Sequence, residues 1–198
     1  MSKTNQISKY YNEVSKLILS IPNYEKEINE VVEDIVKVYQ NGNKILVGGN
    51  GGSSADADHF VGELVCTFKD PKRSPVSAIS LTSHPAAISA WTNDFGFETY
   101  FERQVKAHGK KGDILILLST GGGNRENGAS LSLVVAAEEA LKRKIKVISL
   151  VGKSGGILKT ISDLSIHINH HNTALIQEAH MSILHYICVQ LEYKLGIK

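Results

Sequence analysis

The sequence predicts a doubly wound α/β fold, in which a five-stranded parallel sheet is flanked by helices and preceded by two N-terminal helices. Short apolar runs that alternate with helix-like segments indicate parallel strands buried on both faces. Five such runs occur, at Ile45–Val47, Val76–Leu81, Ile114–Leu118, Val147–Val151 and Leu164–Ile168. A chain of 198 residues with 42% hydrophobic residues is long enough for one well-filled core. We therefore predict a single domain over residues 1–198, with a helical pair over 1–42 and the α/β core over 43–198.

The first part of the chain carries two amphipathic helical patterns. Apolar residues recur at the i, i+3, i+4 and i+7 spacing over residues 7–21, and Pro22 ends that pattern. A second stripe covers residues 28–39, after which Asn41-Gly42-Asn43 turns the chain into the first strand. These helices either cover one face of their own sheet or provide a packing surface for another subunit.

Composition excludes several classes of function. The 22 Lys and Arg residues nearly balance 20 Asp and Glu residues, and the longest basic run is Lys142-Arg143-Lys144, so we expect no nucleic-acid binding. No apolar segment approaches the length of about 20 residues that a membrane helix needs, and the N-terminus lacks an export signal. Two cysteines, Cys66 and Cys188, lie in apolar helical patterns without CxxC spacing. We expect a cytoplasmic protein with reduced core cysteines and a small anionic ligand.

The turn after the first strand, Gly48–Ser54, has the composition of a phosphate-binding loop. Its four glycines allow the backbone to approach an anion closely. Ser53 and Ser54 supply hydroxyls and a predicted N-cap, and the helix that follows directs free N–H groups and a positive dipole end at the ligand.

His59 and Glu63 lie four residues apart in that helix, and therefore on one face of it. The spacing allows the two side chains to share a metal ion or one substrate, although an i, i+4 pair of this kind is often only a solvated surface pair. A phosphate loop next to this pair favours chemistry on a small phosphorylated molecule.

Two nucleotide-binding motifs are absent. The run Gly49-x-Gly51-x-x-Ser54 lacks the third glycine of a dinucleotide fold, and Leu81-Thr82-Ser83 offers no acid after the next strand. Gly152-Lys153-Ser154 resembles the end of a P-loop, but Val147 stands where that motif requires glycine.

Two further stretches contain candidate functional side chains. Ser119–Ser130 is a second loop rich in glycine and hydroxyl groups; it is either a second phosphate loop or a flexible surface loop. The last helix carries Gln177, His180 and His185 within an apolar pattern. Polar groups there need partners if they are buried, and a lone histidine on an apolar face is usually a satisfied core residue.

Taken together, these motifs resemble the sugar isomerase (SIS) domain family, and within it the sedoheptulose-7-phosphate isomerases. The resemblance covers the chain from about the first helix to the end. The motifs and the spacing between them are together specific for this family. The matching pieces are Gly49-Asn-Gly-Gly-Ser53, Asp58-His-Phe-x-x-Glu63, Asn93-Asp-Phe-Gly96, Gly112-Asp113, Ser119-Thr120, Thr160–Asp163 and Ile176-Gln-Glu-x-His180 with His185.

The resemblance implies zinc as cofactor, with ligands at His59, Glu63, Gln177 and His185. The substrate-binding residues that we predict combine the family's positions with those of the two loops: Asn50, Gly51, Gly52, Ser53, Ser54, Glu63, Asn93, Asp94, Ser119, Thr120, Gly121, Ser130 and Gln177. In members of the family the second loop usually has the sequence Ser-Thr-Ser-Gly-Asn-Ser. Here Gly121 replaces its third residue, and the loop is longer before Ser130, which aligns best with the last serine.

The activity that the resemblance implies is isomerisation of sedoheptulose 7-phosphate to D-glycero-D-manno-heptose 7-phosphate, the first step towards nucleotide-activated heptose in lipopolysaccharide or capsule precursors. Moving a carbonyl from C2 to C1 requires a base, an enediol intermediate and return of a proton. We assign Glu63 and His185 as the catalytic pair, with zinc polarising the enediol oxygens. A residue held tightly by zinc is a poor proton carrier, so either the metal contacts loosen or the site works partly through the metal.

Two alternatives remain at this stage. Some SIS-domain proteins are non-catalytic regulators that bind a phosphosugar or a protein partner such as a replication initiator, but they typically lack the equivalents of Glu63 and His185. The altered Ser119–Ser130 loop also leaves open an isomerase of a different sugar phosphate.

The family further implies a homo-oligomer, a tetramer, with active sites at subunit interfaces. On one straight helix, Gln177 and His185 are separated by about 12 Å along the axis and about 80° around it. Zinc donors lie only about 2.0–2.2 Å from the ion, so this separation favours the two side chains serving different copies of the site.

Overall fold

The computed structural model describes residues 3–196, with side chains from residue 5 onward. The two ends of the predicted single domain, residues 1–2 and 197–198, lie outside the described residues. In chain order the helices and strands are α1 (Lys3–Ser20), a 3-10 turn (Ile21–Tyr24), α2 (Glu25–Gln40), β1 (Ile45–Gly49), α3 (Gly52–Val65), β2 (Ala78–Ser80), α4 (Pro85–Phe95), a second 3-10 turn (Phe97–Thr99), α5 (Tyr100–His108), β3 (Ile114–Ser119), α6 (Leu131–Lys142), β4 (Lys146–Val151), α7 (Gly156–Ile161), β5 (Leu164–His167) and α8 (Thr173–Leu195).

The five strands form one parallel sheet in the order β2-β1-β3-β4-β5. Alternate residues of β1 enter two different apolar clusters: Ile45 and Val47 pack with α2, α3 and α8, whereas Leu46 packs with α5, α6 and α7 on the opposite face. The predicted doubly wound α/β fold is therefore confirmed.

Strand β2 lies at the edge of the sheet and is shorter than the predicted Val76–Leu81. The backbone N–H of Val76 donates to the carbonyl of Leu64 at the end of α3, which fixes Val76 before the strand begins. Only Ala78–Ser80 pair with β1.

A buried carboxylate joins the amino ends of β1 and β3. Asp113 is 1% exposed; its Oδ1 accepts from the backbone N–H of Lys44, and its Oδ2 lies 2.6 Å from Lys44 Nζ. Burial disfavours the charged form, but Lys44, the Lys110 amide and Asn43 outweigh it and hold the pKa of Asp113 below its usual value. The carboxylate is thus ionised at neutral pH, and its contribution to stability is lost only as the pH falls through that lowered pKa.

The two N-terminal helices differ in how they pack. Helix α2 buries its apolar stripe against the sheet, as one of the two alternatives predicted. In contrast, α1 leaves large apolar side chains exposed: Ile7 is 64%, Tyr11 is 63% and Leu19 is 79% exposed. Two polar contacts tie α1 to the carboxyl edge, from Tyr10 Oη to Glu178 (2.7 Å) and between Glu13 and His170 (3.3 Å).

Two expectations from composition can be compared with the structure. None of the helices within residues 3–196 has the length and apolarity needed to cross a membrane. Both cysteines are free, and Cys188 lies in the core. The prediction that Cys66 is also a core residue was wrong, because Cys66 is exposed at the C-cap of α3. The helix ends there, so the apolar pattern does not carry Cys66 inward.

Candidate functional site

The glycine-rich turn joins the carboxyl end of β1 to the N-terminus of α3. Gly51 has a positive φ of 55°, a conformation that favours glycine, and the helix begins at the next residue. The prediction that the serines cap this helix is therefore wrong: Gly51 occupies the N-cap, and Ser53 and Ser54 lie in the first turn, where their amides donate to Asn50 and Gly51 carbonyls. Ser53 is buried and turned towards the cavity described below.

The second loop folds back between β3 and α6. Ser119 Oγ accepts from the backbone N–H of Gly122 at 2.9 Å and donates to Ser130 Oγ at 3.3 Å. Ser130 is the N-cap of α6 and adopts a left-handed conformation (φ 51°), which costs a non-glycine residue roughly 1–3 kcal/mol. The side chain of Asn124 accepts from two amides of the loop, so the loop has an internal hydrogen-bonded structure.

These two loops and the start of α8 enclose a cavity of about 180 Å³. Its lining consists of Asn50, Gly52, Ser53, Leu118, Ser119, Thr120, Ser130, Thr173 and Gln177. Three helix N-termini, those of α3, α6 and α8, meet there, so free N–H groups and positive dipole ends converge with hydroxyl groups. This arrangement is suited to a phosphate group.

Thr173 is a cavity residue that the sequence analysis did not predict. It is the first residue of α8, directly after the N-cap Asn172, whose Oδ1 accepts from the amide of Ala174 at 3.0 Å. An Asn-Thr pair before a long apolar helix is a recognisable helix start, and this signal could have identified Thr173 from the sequence.

Gln177 also lies in this cavity and packs against the turn. A methyl group placed on Gly52 would come within 2.2 Å of Gln177 Nε2, so the absence of a side chain at Gly52 makes room for the amide. Gln177 is inside α8 and eight residues before His185. Gln177 therefore lies at the cavity, whereas His185 lies beside His59.

The other three predicted zinc ligands lie together, with Glu63 and His185 each in contact with His59. His59 Nε2 lies 3.0 Å from Glu63 Oε1 and 3.4 Å from His185 Nε2. Within residues 3–196 no group of three or more His, Cys, Asp or Glu side chains is arranged so that it could hold a metal ion, and the contacts of this trio are hydrogen bonds. The donor types are nevertheless those of zinc sites, because imidazole nitrogen and carboxylate oxygen are both common zinc ligands.

Some predicted substrate residues do not line the cavity. Asn93 and Asp94 are exposed on α4 and hydrogen-bond to each other at 2.8 Å. Ser54 and Gly121 are absent from the cavity lining, and the amide that reaches Ser119 is that of Gly122 rather than Gly121.

His180 lies apart from the trio. It is fully buried on α8, and burial lowers its pKa to about 4, against a smaller opposing effect from the backbone of Val151. Neither ring nitrogen makes a hydrogen bond of good geometry. The ring is therefore neutral at pH 7 and serves as an internal comparison for His185.

Comparison with known proteins identifies the family of this chain. The SIS domain family model matches residues 9–152. A phosphoheptose isomerase of Citrifermentans bemidjiense is 40% identical over 171 residues, which is 86% of this chain and 85% of that protein. The chain belongs to the phosphoheptose isomerase family of SIS-domain proteins.

Solved structures support the same assignment. A phosphoheptose isomerase from Francisella tularensis has a TM-score of 0.90 at 33% identity and covers 98% of this chain and 100% of its own. A phosphoheptose isomerase from Neisseria gonorrhoeae has a TM-score of 0.88 at 29% identity, covering 97% and 100%. The resemblance predicted from the motifs is thus confirmed, and this member of the phosphoheptose isomerase family is an isomerase.

We predict that Gly52→Ala weakens phosphate binding and leaves the fold intact. The added methyl would meet only the flexible end of Gln177, so the amide moves and both groups occupy space that the phosphate needs. Loss of charge-assisted hydrogen bonds to the anion should lower the affinity for inorganic phosphate roughly tenfold or more, measured by calorimetry.

Gly62→Ala is the matched control. Gly62 lies in the same helix, α3, and a methyl group added there would have no neighbour within 4 Å. Equal phosphate affinity in Gly52→Ala and Gly62→Ala would contradict the assignment of this cavity.

Proposed function

We propose that the protein interconverts sedoheptulose 7-phosphate and D-glycero-D-manno-heptose 7-phosphate as an aldose–ketose isomerase. The observation that carries this proposal is the contact of Glu63 and His185 with the same histidine, His59, on the helix whose N-terminus forms the phosphate cavity. The family names of the relatives give the substrate class, and the geometry supplies the groups that this reaction requires.

The chemistry follows from these positions. The cavity anchors the phosphate, and the sugar chain extends along α3 towards the trio. We assign Glu63 to remove a proton from the carbon beside the carbonyl, which gives an enediol, and to return a proton to the neighbouring carbon. We assign His185 to transfer protons at the two oxygens, since histidine exchanges protons near neutral pH.

Zinc is the proposed cofactor. His59, Glu63 and His185 would hold it. Gln177 is the fourth ligand that the family resemblance implies, and in this structure its side chain lies in the phosphate cavity. When bound, it would supply a Lewis acid that polarises the carbonyl and enediol oxygens. The nitrogen and oxygen donors of this set suit zinc chemically.

Glu63→Gln tests the reaction. The variant keeps the shape of the side chain but cannot act as a base, so turnover should fall below detection on a panel of C5 to C7 sugar phosphates. In D₂O the wild-type protein should place deuterium beside the carbonyl of the product, measured by NMR, because the abstracted proton exchanges with solvent. Near-normal turnover of Glu63→Gln would remove this residue from the mechanism.

Metal analysis of purified variants tests the zinc proposal. We expect His59→Ala and His185→Ala to lose bound zinc, because each removes a donor from the trio. Glu63→Gln should bind zinc more weakly, because it replaces a charged carboxylate with a neutral amide oxygen. His180→Ala should retain it per folded molecule, since His180 lies outside the trio. Loss of zinc from His180→Ala, with retention of zinc in His185→Ala, would show that His180 is the ligand and His185 is not.

We also propose a cytoplasmic homotetramer whose subunits complete one another's sites. In the single chain, helix α4 buries none of its side chains, and its Phe95 is 66% exposed. The same helix carries Asn93 and Asp94, two of the predicted substrate-binding residues. The exposed apolar residues of α1 provide further surface for association. Free Cys66 and Cys188 are in keeping with a reducing compartment.

Mixing two inactive variants tests whether sites are shared. If Asp94 serves a partner's site, subunit exchange between Asp94→Ala and Glu63→Gln proteins should make roughly a quarter of the sites wholly wild type, and activity should return. A mixture of Glu63→Gln and His185→Ala is the control and should stay inactive, because these two residues meet within one chain. Absence of recovery in the first mixture, with exchange demonstrated by mass spectrometry, would rule out sharing through Asp94.

A further inference from the structure

The segment between α3 and β2 contacts both helices that carry the catalytic pair. We call residues 66–74 the brace. It begins where α3 ends, three residues after Glu63, and one of its aromatic rings lies against His185 of α8. None of its side chains lines the phosphate cavity.

Arg73 fixes the end of α3 from inside the brace. The side chain is 5% exposed, and its Nη2 donates to the carbonyl of Glu63 at 2.6 Å and to that of Leu64 at 3.1 Å, while Nη1 donates to the carbonyl of Ser74 at 2.7 Å. The last carbonyls of a helix lack intrahelical partners and form its negative dipole end. A buried cation bound there holds the turn from which the Glu63 side chain projects.

Glu192 fixes the brace to α8. Its Oε1 accepts from three successive amides of the brace, those of Phe68 (3.2 Å), Lys69 (2.6 Å) and Asp70 (2.9 Å). Partial burial opposes the charge, but the three amides outweigh it and hold the pKa of Glu192 below its usual value. The carboxylate is ionised at neutral pH, and charge-assisted bonds of this kind are the stronger class. Glu192 lies seven residues, about two turns, after His185 on the same helix.

Phe68 completes the connection. Its ring stacks on that of His185, with centroids 5.6 Å apart and planes at 28°. The same residue donates its amide to Glu192, so one residue of the brace contacts α8 at both the catalytic histidine and the anchoring carboxylate.

We propose that Arg73 and Glu192 are positioning residues that set the distance between Glu63 and His185. The two catalytic side chains lie on different helices, so neither helix alone determines how far apart they are. Arg73 holds the turn of Glu63, Glu192 holds the brace to α8, and Phe68 orients the histidine ring between them. This inference rests on the proposed isomerase function.

The brace predicts a specific kinetic signature. In Arg73→Met and Glu192→Gln, kcat should fall roughly 10- to 100-fold, because small displacements of reacting groups have effects of that size. KM and the affinity for inorganic phosphate should change less than about threefold, since the phosphate cavity is built from other loops. Arg73→Lys keeps the charge but not the forked donors, so it should recover only part of kcat.

Side-chain NMR gives a readout that does not depend on turnover. Neither Arg73 nor Glu192 contacts an imidazole ring, yet both variants should shift the ring resonances of His59 and His185 in histidine-labelled protein. Lys72→Met is the control, because Lys72 is exposed in the same segment and should change neither kcat nor the resonances. Phe68→Leu is a milder variant that should lower kcat if the larger changes prevent folding.

The outcomes separate the two proposals. Loss of kcat with preserved phosphate affinity and shifted ring resonances supports positioning by the brace. Unchanged kcat or unchanged resonances in folded Arg73→Met, Glu192→Gln and Phe68→Leu would overturn it. If the wild-type protein turns over no sugar phosphate, the proposed function fails. The ring resonances of Arg73→Met and Glu192→Gln still decide whether the brace positions the two histidines.

Discussion

Parallel pairing of β1 with β3 is the constraint on which the site depends. The register places Gly49 beside Leu118, so the loops that follow the two strands start side by side. Helix α3 then crosses to one face of the sheet, where Phe60 is buried, and α6 crosses to the other, where Leu133 is buried. The loops separate as they leave the sheet, and a crevice opens between them. In doubly wound folds ligands bind at such a point, and here it contains the phosphate cavity.

Helices α3 and α8 each contribute to both ends of the site. The N-terminus of α3 lines the cavity with Gly52, and His59 lies about 10 Å further along the helix axis. Helix α8 starts at the cavity with Thr173, reaches the trio with His185 and ends at the brace with Glu192. Two helices therefore hold the cavity and the trio of His59, Glu63 and His185 at a fixed separation, which the proposed reaction of a phosphate-anchored substrate requires.

The polar groups of this edge are paired to different degrees, and the difference is informative. Arg73 and Glu192 each make three hydrogen bonds to backbone groups, which suits a structural frame. In contrast, Asn50 Oδ1 is buried beside the cavity without a donor within the described residues, although its Nδ2 donates to Ser132 at 3.3 Å. An acceptor left without a donor next to an anion cavity is suited to a substrate hydroxyl, since leaving such a group unpaired is costly.

The sequence by itself determined the features that depend on local periodicity. Apolar runs that alternate with helical patterns predicted the parallel sheet, the glycine-rich stretch predicted the turn between β1 and α3, and the four-residue spacing placed His59 beside Glu63. Tertiary structure alone decided the contacts between distant segments. The contact of His59 with His185 spans 126 residues, and the contacts of Glu192 with the brace span more than 120. A local pattern reports the direction of a side chain around its own helix or strand, but which side chains meet depends on how whole elements pack against one another.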